Sequence, residues 1–170
     1  MPKEIRMSTF APADPGFEER VRESFSRLTL MTTIGARLVK VAPGEVDIEM
    51  SVRDDLTQQH GYVAAAIVTA IVDTACGYAA MSLMPAGANV LTVEYKVNFM
   101  SPARGERLLA HGRVVKPGRA LTVCSGEVYA LGDAAPKAVA AMLGTMVAVR
   151  DTAEVLVVRR GPVPPSPARA

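Results

Sequence analysis

At 170 residues, of which 49% are hydrophobic, the chain has the size of one domain with a substantial core. Its formal net charge of +2 and its lack of Trp argue against a nucleic-acid partner, which requires basic and stacking side chains. The two Cys match no metal or redox spacing, so we expect a reducing cytoplasm and neither a metal nor a cofactor. The first residues mix acidic and basic side chains without an apolar core, so no secretory signal is expected.

The N-terminal third predicts one helix and two strands after an irregular start. Residues 1–14 show no periodicity and are expected to form a flexible arm. Asp14-Pro15 is a typical helix start, and the apolar residues that follow recur at helical intervals, namely Phe17, Val21, Phe25 and Leu28. The alternation over residues 33–52 predicts two strands joined at Pro43-Gly44, and the polar residues 53–62 predict a loop.

The stretch from Gly61 to Val93 contains a single charged side chain, Asp73. Its small and apolar residues predict a central helix over about residues 63–83, ended by Pro85 and Gly87. A helix that is apolar nearly all round is expected to be buried. Burial disfavours a charged carboxylate and raises its pKa, which is how a carboxyl group is adapted to act as a general base near neutral pH. We therefore treat Asp73 as the chemical centre.

Three other interpretations of this stretch compete with a catalytic Asp73. A transmembrane helix of this length is disfavoured by its central Asp and by its Ala, Gly and Thr content, and no membrane partner is expected. Asp73 can instead be structural, accepting hydrogen bonds from backbone N–H groups or from Thr69. Cys76 lies on the same helix face but has no His at helical spacing, so a buried core cysteine is the favoured interpretation.

Four strands are predicted after the central helix, over residues 91–99, 105–116, 119–130 and 137–150, although the Ala content of the last segment also permits a helix. The second and third flank Pro117-Gly118 and are expected to form a hairpin. The Pro-rich residues 151–170 are expected to form a disordered tail. A helix as apolar as the central one must be covered, which predicts an α+β fold with a curved antiparallel sheet wrapped around it.

Several motifs occur in the order typical of one enzyme family: Thr57-Gln-Gln-His-Gly-Tyr-Val63, residues 67–80 around Asp73, residues 91–105, residues 112–119 and Gly144-Thr145. Together they resemble hotdog-fold thioesterases of the phenylacetic-acid-degradation (PaaI-like) family. The resemblance implies the hydrolysis of acyl-CoA or a similar thioester without a metal, in a dimer or a tetramer of dimers.

The resemblance also assigns roles to individual residues. It implies that Asp73 is the base or nucleophile, that Gln58 is the polar residue before the helix, and that Thr92 is the hydroxyl residue of the following strand. His60 and Gly61, in the motif before the helix, are included as substrate-binding candidates. Where the family usually has His-Gly-Gly or His-Ala-Gly at the helix start, this chain has Ala64-Ala65-Ala66.

Thioester hydrolysis needs hydrogen-bond donors aimed at the oxygen that becomes negative. The first N–H groups of a helix are unpaired and lie at the positive end of its dipole, so Ala65 and Ala66 are the candidate oxyanion donors. Asp73 follows Ala65 by roughly 12 Å along a helix axis, too far for groups that must meet within about 3.5 Å. A symmetric homodimer, with Asp73 of one chain facing Gln58, Ala65 and Ala66 of the other, is therefore predicted.

The substrate pocket is expected to be apolar and to include Val63, Ile67, Tyr78 and Met81. Basic residues cluster between residues 101 and 120, and of these Arg104, Lys116 and Arg119 are candidates for binding the phosphates of coenzyme A. A solvated strand face is the equally weighted alternative for this cluster. For the whole chain, the alternative function is a non-catalytic acyl-CoA-binding or regulatory domain. A hydratase on the same fold is less favoured, because no His/Asp or His/Glu pair is evident on the central helix.

Overall fold

A computed structural model describes residues 10–150 of the chain. Its helices are α1 (Phe17–Ser26), α2 (Thr29–Ile34) and α3 (Ala65–Met81), and a short 3-10 helix covers Asp54–Leu56. Its strands are β1 (Ala36–Ala42), β2 (Glu45–Ser51), β3 (Ala88–Phe99), β4 (Arg107–Lys116), β5 (Leu121–Leu131) and β6 (Lys137–Arg150). The predicted tail, residues 151–170, and most of the predicted arm lie outside the described residues.

Within the described residues the strands form one antiparallel sheet in the order β1-β2-β4-β5-β6-β3, which curves around α3. Burial alternates strictly along β5, because successive side chains point to opposite faces of a strand. Residues on the inner face, such as Cys124 and Val128, are fully buried under the helix. The predicted α+β fold, with a curved sheet around one long helix, is therefore confirmed.

Small residues allow α3 to lie very close to the middle of the sheet. A Cβ atom added at Gly112 of β4 would lie 2.3 Å from the carbonyl carbon of Ala75. A Cβ atom added at Gly126 of β5 would lie 2.8 Å from the Sγ atom of Cys76. The absence of side chains at these two glycines therefore sets the distance between the helix and the sheet.

The helices differ from the sequence prediction at their ends. α3 is two residues shorter at each end than predicted. At its N-terminal end the reason is that Val63 is extended, pairs with Thr57 and donates its N–H to the carbonyl of Ala103 (3.0 Å). Thr33, where a strand was expected to begin, lies in α2, which ends at Gly35 in the left-handed conformation (φ 72°). Within residues 10–150, none of the helices has the length and apolarity needed to cross a bilayer.

Arg20 of α1 fixes the C-terminal end of α3. Its guanidinium donates hydrogen bonds to the carbonyl oxygens of Met81 (3.2 Å), Met84 (2.8 Å) and Ala88 (3.0 Å) and pairs with the Asp14 carboxylate (2.9 Å). A cation at a helix C-terminus satisfies free carbonyl groups and complements the helix dipole. The first helix thereby holds the end of α3 and the start of β3 in place.

Two adjoining surfaces of the domain are left uncovered by residues 10–150. The N-terminal half of α3 exposes Ala65 and Ala66 and half-exposes Ala70, so the prediction of burial all round is correct only for the C-terminal half. At the sheet edge, β3 exposes large apolar side chains, including Leu91, Val93, Tyr95 and Phe99, which are 46% to 56% accessible. A long apolar edge strand is a template for pairing with another strand.

Candidate active site

A tight turn precedes α3 and orients Gln58. The N–H of Gln58 bonds to the carbonyl of Tyr62 (2.8 Å), and the N–H of Gly61 bonds to the carbonyl of Gln58 (2.9 Å), with Gly61 at φ 77°. The side-chain oxygen of Gln58 accepts the backbone N–H of His60. Because that oxygen is occupied, the Gln58 amide group has its N–H donors available for a substrate oxygen.

The first turn of α3 offers free backbone donors. Ala64, the N-cap residue, makes no side-chain cap, and none of the described residues accepts a hydrogen bond from the N–H of Ala65 or Ala66. Both alanines are exposed. N–H groups at the positive end of a helix dipole can stabilise developing negative charge, and this role stays a prediction for Ala65 and Ala66.

A cavity of about 410 Å³ opens beside this helix end. Gln58, Tyr62 and Ala65 line it together with the apolar residues Val63, Val68 and Val139 and the segment 99–103. The structure therefore brings together Gln58, Val63 and Ala65 from the sequence candidates. His60 and Gly61 are exposed in the preceding turn and Ile67 is half-buried, but these three do not line the cavity.

Asp73 is half-buried on the uncovered side of α3, two turns beyond the donors. Its Oδ1 atom accepts a hydrogen bond from the Thr92 hydroxyl (2.8 Å), which also lies 3.4 Å from the sulfur of Met146. Burial raises the pKa of Asp73, and the weaker effect of the Thr92 bond opposes that rise. The hydroxyl that reaches the carboxylate is thus on β3, at Thr92, rather than at Thr69 of the same helix.

Within one chain, Asp73 and the donors remain apart. Eight residues separate Asp73 from Ala65, which is roughly 12 Å at the rise of an α-helix. Asp73 does not line the cavity that Gln58 and Ala65 share. One copy of the described domain therefore holds two half-sites.

Cys76 and Tyr78 occupy buried positions away from the cavity. Burial raises the pKa of the Cys76 thiol, which keeps it protonated and unreactive and supports its interpretation as a core residue. The Tyr78 hydroxyl contacts that of Ser24 (3.2 Å), and its ring packs against Phe25 of α1. Met81 is also buried in the core, so neither Tyr78 nor Met81 is brought to the cavity.

The three basic candidates are exposed but are not adjacent in one chain. Arg104 precedes β4, whereas Lys116 ends β4 and Arg119 lies in the following turn. The ten residues of β4 separate the two groups by roughly 30 Å, given the rise per residue of a strand. A single phosphate group cannot contact both groups on one domain.

Sequence reasoning did not identify several residues that line the cavity. Met100, Ser101 and Pro102 follow β3, and Val139 lies in β6, more than seventy residues after Ala65. Only the Ser-Pro pair after a clear strand signalled a turn at this place. The position of Val139 depends on strand pairing and has no local signal.

Comparison with known proteins extends the resemblance inferred from the motifs. The family model of the thioesterase superfamily matches residues 60–137. The crystal structure of a thioesterase family protein from Silicibacter pomeroyi is 48% identical, has a TM-score of 0.79, and is matched over 80% of this chain and 100% of that chain. Human acyl-coenzyme A thioesterase 13 is 32% identical over 92 residues, which is 54% of this chain and 65% of the human protein.

A third comparison concerns the fold alone. The PaaI protein of the E. coli phenylacetic acid degradation operon has a TM-score of 0.70 at 17% identity, over 81% of this chain and 96% of that chain. The thioesterase family protein from Silicibacter pomeroyi is thus matched over its whole length, and PaaI shares the fold. The chain accordingly belongs to the thioesterase superfamily and is a hotdog-fold thioester hydrolase.

Proposed function

We propose that the protein is an acyl-CoA thioesterase whose active site forms between two copies of the chain. Asp73 of one subunit faces Gln58, Ala65 and Ala66 of its partner, and a dimer has two such sites. The observation that carries this proposal is the separation of Asp73 from the free N–H donors by roughly 12 Å, with both on the uncovered side of α3.

The exposed edge of the sheet supports this assembly. Two β3 strands that pair antiparallel about a two-fold axis cover their apolar side chains and join the two sheets. The same axis runs the two α3 helices antiparallel, so that the N-terminal end of one lies towards Asp73 of the other. Pairing of this kind therefore completes both half-sites at once.

The proposed reaction needs only groups that the chain provides. The N–H groups of Ala65 and Ala66 and the Gln58 amide hold the thioester oxygen, where negative charge develops during attack. Asp73 takes a proton from a water molecule, whose oxygen bonds to the carbonyl carbon. The C–S bond then breaks, and the thiolate of coenzyme A takes up the proton, giving the free acid and the thiol. The raised pKa of Asp73 suits a general base, and Thr92 orients its carboxylate.

Direct attack by the Asp73 carboxylate on the carbonyl carbon remains the second form of this mechanism. It forms an anhydride between the acyl group and Asp73, and water then hydrolyses the anhydride. Hydrolysis in heavy-oxygen water under single-turnover conditions separates the two forms, because only the anhydride route transfers oxygen from the enzyme to the first product molecule. In both forms no metal or cofactor takes part.

Coenzyme A as the leaving group is supported by the name of the human relative and by the basic side chains. In an antiparallel β3 pair, the end of one β3 lies beside the start of the other. Arg104 of one subunit and Lys116 and Arg119 of its partner then lie at the same end of the joined sheet, although they are far apart within one chain. We propose that they bind the phosphates of coenzyme A together.

The proposal is tested with Asp73→Asn, which removes the charge while preserving the shape of the side chain. We expect thiol release from acyl-CoA to fall at least 100-fold, because the base is lost. Asp133→Asn makes the same change at an exposed loop position and should leave the rate unchanged. Full activity of Asp73→Asn would remove Asp73 from the mechanism.

The alternative of a non-catalytic acyl-CoA-binding domain is favoured by one observation, the exposed methyl groups of Ala65 and Ala66 at the donor end of α3. A binding domain shows saturable affinity for acyl-CoA without release of free thiol. A tetramer and a cytoplasmic location stay predictions of the sequence, which sedimentation and localisation experiments can check.

A further inference from the structure

The cavity beside the N-terminal end of α3 has a lining that restricts what it can hold. Among residues 10–150, no charged side chain lines it, and the polar side chains that do are those of Gln58, Tyr62 and Ser101. A charged group placed among the remaining apolar residues would lose its hydration without gaining a partner. The cavity therefore suits an uncharged, apolar group and rejects one that ends in a carboxylate.

The volume of the cavity, about 410 Å³, falls in the range of about 300–1,000 Å³ that is typical of small-molecule sites. Building on the proposed function, we infer that the cavity binds the acyl group of the substrate, that this group is apolar, and that Val139 determines its maximum length.

Val139 and Val68 form the closed end of the cavity. Both line it although they are only 1% and 2% accessible, whereas Met100, which follows β3, lines it and is 53% accessible. An acyl chain that enters past Met100 therefore ends against the two valines. Valine is stiff about its first side-chain bond, so its methyl groups cannot move aside as a longer side chain would.

A β-bulge explains how Val139 comes to face the cavity. In the pairing of β5 with β6, Tyr129 is opposite Ala138 and Val128 is opposite Ala140, so Val139 is an extra residue without a partner. Burial no longer alternates there, since both Val139 and Ala140 are buried. Bulges redirect single side chains and are frequent next to active sites.

The backbone of Val139 also holds the opposite wall. Its carbonyl oxygen accepts the N–H groups of Met100 (2.9 Å) and Ser101 (3.4 Å). The bulge thereby links the closed end of the cavity to the segment at its open end. A substitution at residue 139 that keeps these backbone hydrogen bonds changes the depth of the cavity while preserving its wall.

The test compares Val139→Ala with Val46→Ala on a series of straight-chain acyl-CoA substrates in two-carbon steps. Val46 is also fully buried but lies in β2, three strands away from β6, and does not line the cavity. The measured quantity is the ratio of kcat/KM for the acyl chain two carbons longer than the wild-type optimum to kcat/KM for that optimum. We expect Val139→Ala to raise this ratio by about 10-fold. Val46→Ala should leave this ratio unchanged, and Val139→Ile, which adds a methyl group, should shift the optimum to shorter chains.

The inference is overturned if Val139→Ala and Val46→Ala have the same chain-length profile. It is also overturned if succinyl-CoA is hydrolysed as well as a neutral acyl-CoA of equal length. Calorimetry with the same series as non-hydrolysable thioethers separates this inference from the proposed function. If the wild type released no thiol, the proposed function would fail. If Val139→Ala then still preferred a longer thioether than the wild type, the assignment of the cavity to the acyl group would be supported. An unchanged preference would refute that assignment.

Discussion

The close contact between α3 and the sheet predicts that Gly112→Ala impairs both stability and catalysis. The new Cβ atom would lie 2.3 Å from the carbonyl carbon of Ala75, 2.5 Å from its oxygen and 2.5 Å from the nitrogen of Cys76. These are helix backbone atoms, which cannot rotate away as a side chain can. To reach an ordinary contact of 3.4 Å or more, α3 must move by about 1 Å.

Overpacking of a core typically costs about 1–3 kcal/mol, and a clash with backbone belongs at the upper end of that range. Alanine also lowers the entropy of the unfolded chain, which stabilises the folded state by about 0.4–1 kcal/mol. We therefore expect a loss of about 2–3 kcal/mol, a substantial part of the 5–15 kcal/mol that stabilises a typical domain. Because α3 bears both Asp73 and the proposed oxyanion donors, its displacement should also lower kcat/KM by about 100-fold in the folded enzyme.

Two matched glycines make this prediction specific. At Gly126 the new Cβ atom meets side-chain atoms, Val72 Cγ2 at 2.4 Å and Cys76 Sγ at 2.8 Å, so part of the strain can relax and about 1 kcal/mol is expected. At Gly132 the nearest atom is 3.8 Å away, and Gly132→Ala should change stability by no more than about 0.5 kcal/mol.

Urea unfolding of Gly112→Ala, Gly126→Ala and Gly132→Ala at equal protein concentration measures the order of their stabilities. An unchanged m-value shows that only stability has changed. If Gly112→Ala proved as stable as Gly132→Ala, the argument that the glycines set the distance between helix and sheet would be wrong.

Two further predictions concern the carboxylate and the dimer. Thr92→Val removes the donor that favours the charged form of Asp73, so the pKa of Asp73 should rise further and the acidic limb of the kcat/KM profile should move to higher pH. Thr92→Ser should keep the wild-type profile, and an unshifted limb in Thr92→Val would show that the hydroxyl does not act on Asp73. Val93→Lys places a charge on the β3 edge and should dissociate the proposed dimer and abolish thiol release. Val115→Lys, at an equally exposed valine of β4, should do neither, and an active monomeric Val93→Lys would refute the shared site.

Local patterns in the sequence were sufficient to predict most of the secondary structure. Alternation predicted β3, and the Pro-Gly pairs at residues 43–44 and 117–118 predicted two hairpins, because these signals act over a few neighbouring residues. The short helix α2 was missed because its six residues carry too little periodicity, and only the following Gly35 marked its end.

Some features of the candidate site also follow from local patterns in the sequence, whereas others do not. The sequence by itself determined that Asp73 is a lone carboxylate in an apolar helix, that the helix begins with uncapped N–H groups, and that their spacing prevents one chain from combining them. Each of these facts depends on neighbours along the chain or on the geometry of one helix. The choice of Gln58 and Thr92 came from the family resemblance, and the contact between Thr92 and Asp73 agrees with it.

The tertiary structure alone decided which distant residues meet. It separated Arg104 from Lys116 and Arg119, although all three lie within sixteen residues, because a strand carries them to opposite ends of the sheet. It joined Val139 to Ala65 in one cavity through the register of β5 and β6 and a single unpaired residue. Alternation and turn geometry restrict the register of neighbouring strands, but the place of the unpaired residue in β6 depends on how the sheet packs, and no local pattern in the sequence marked it.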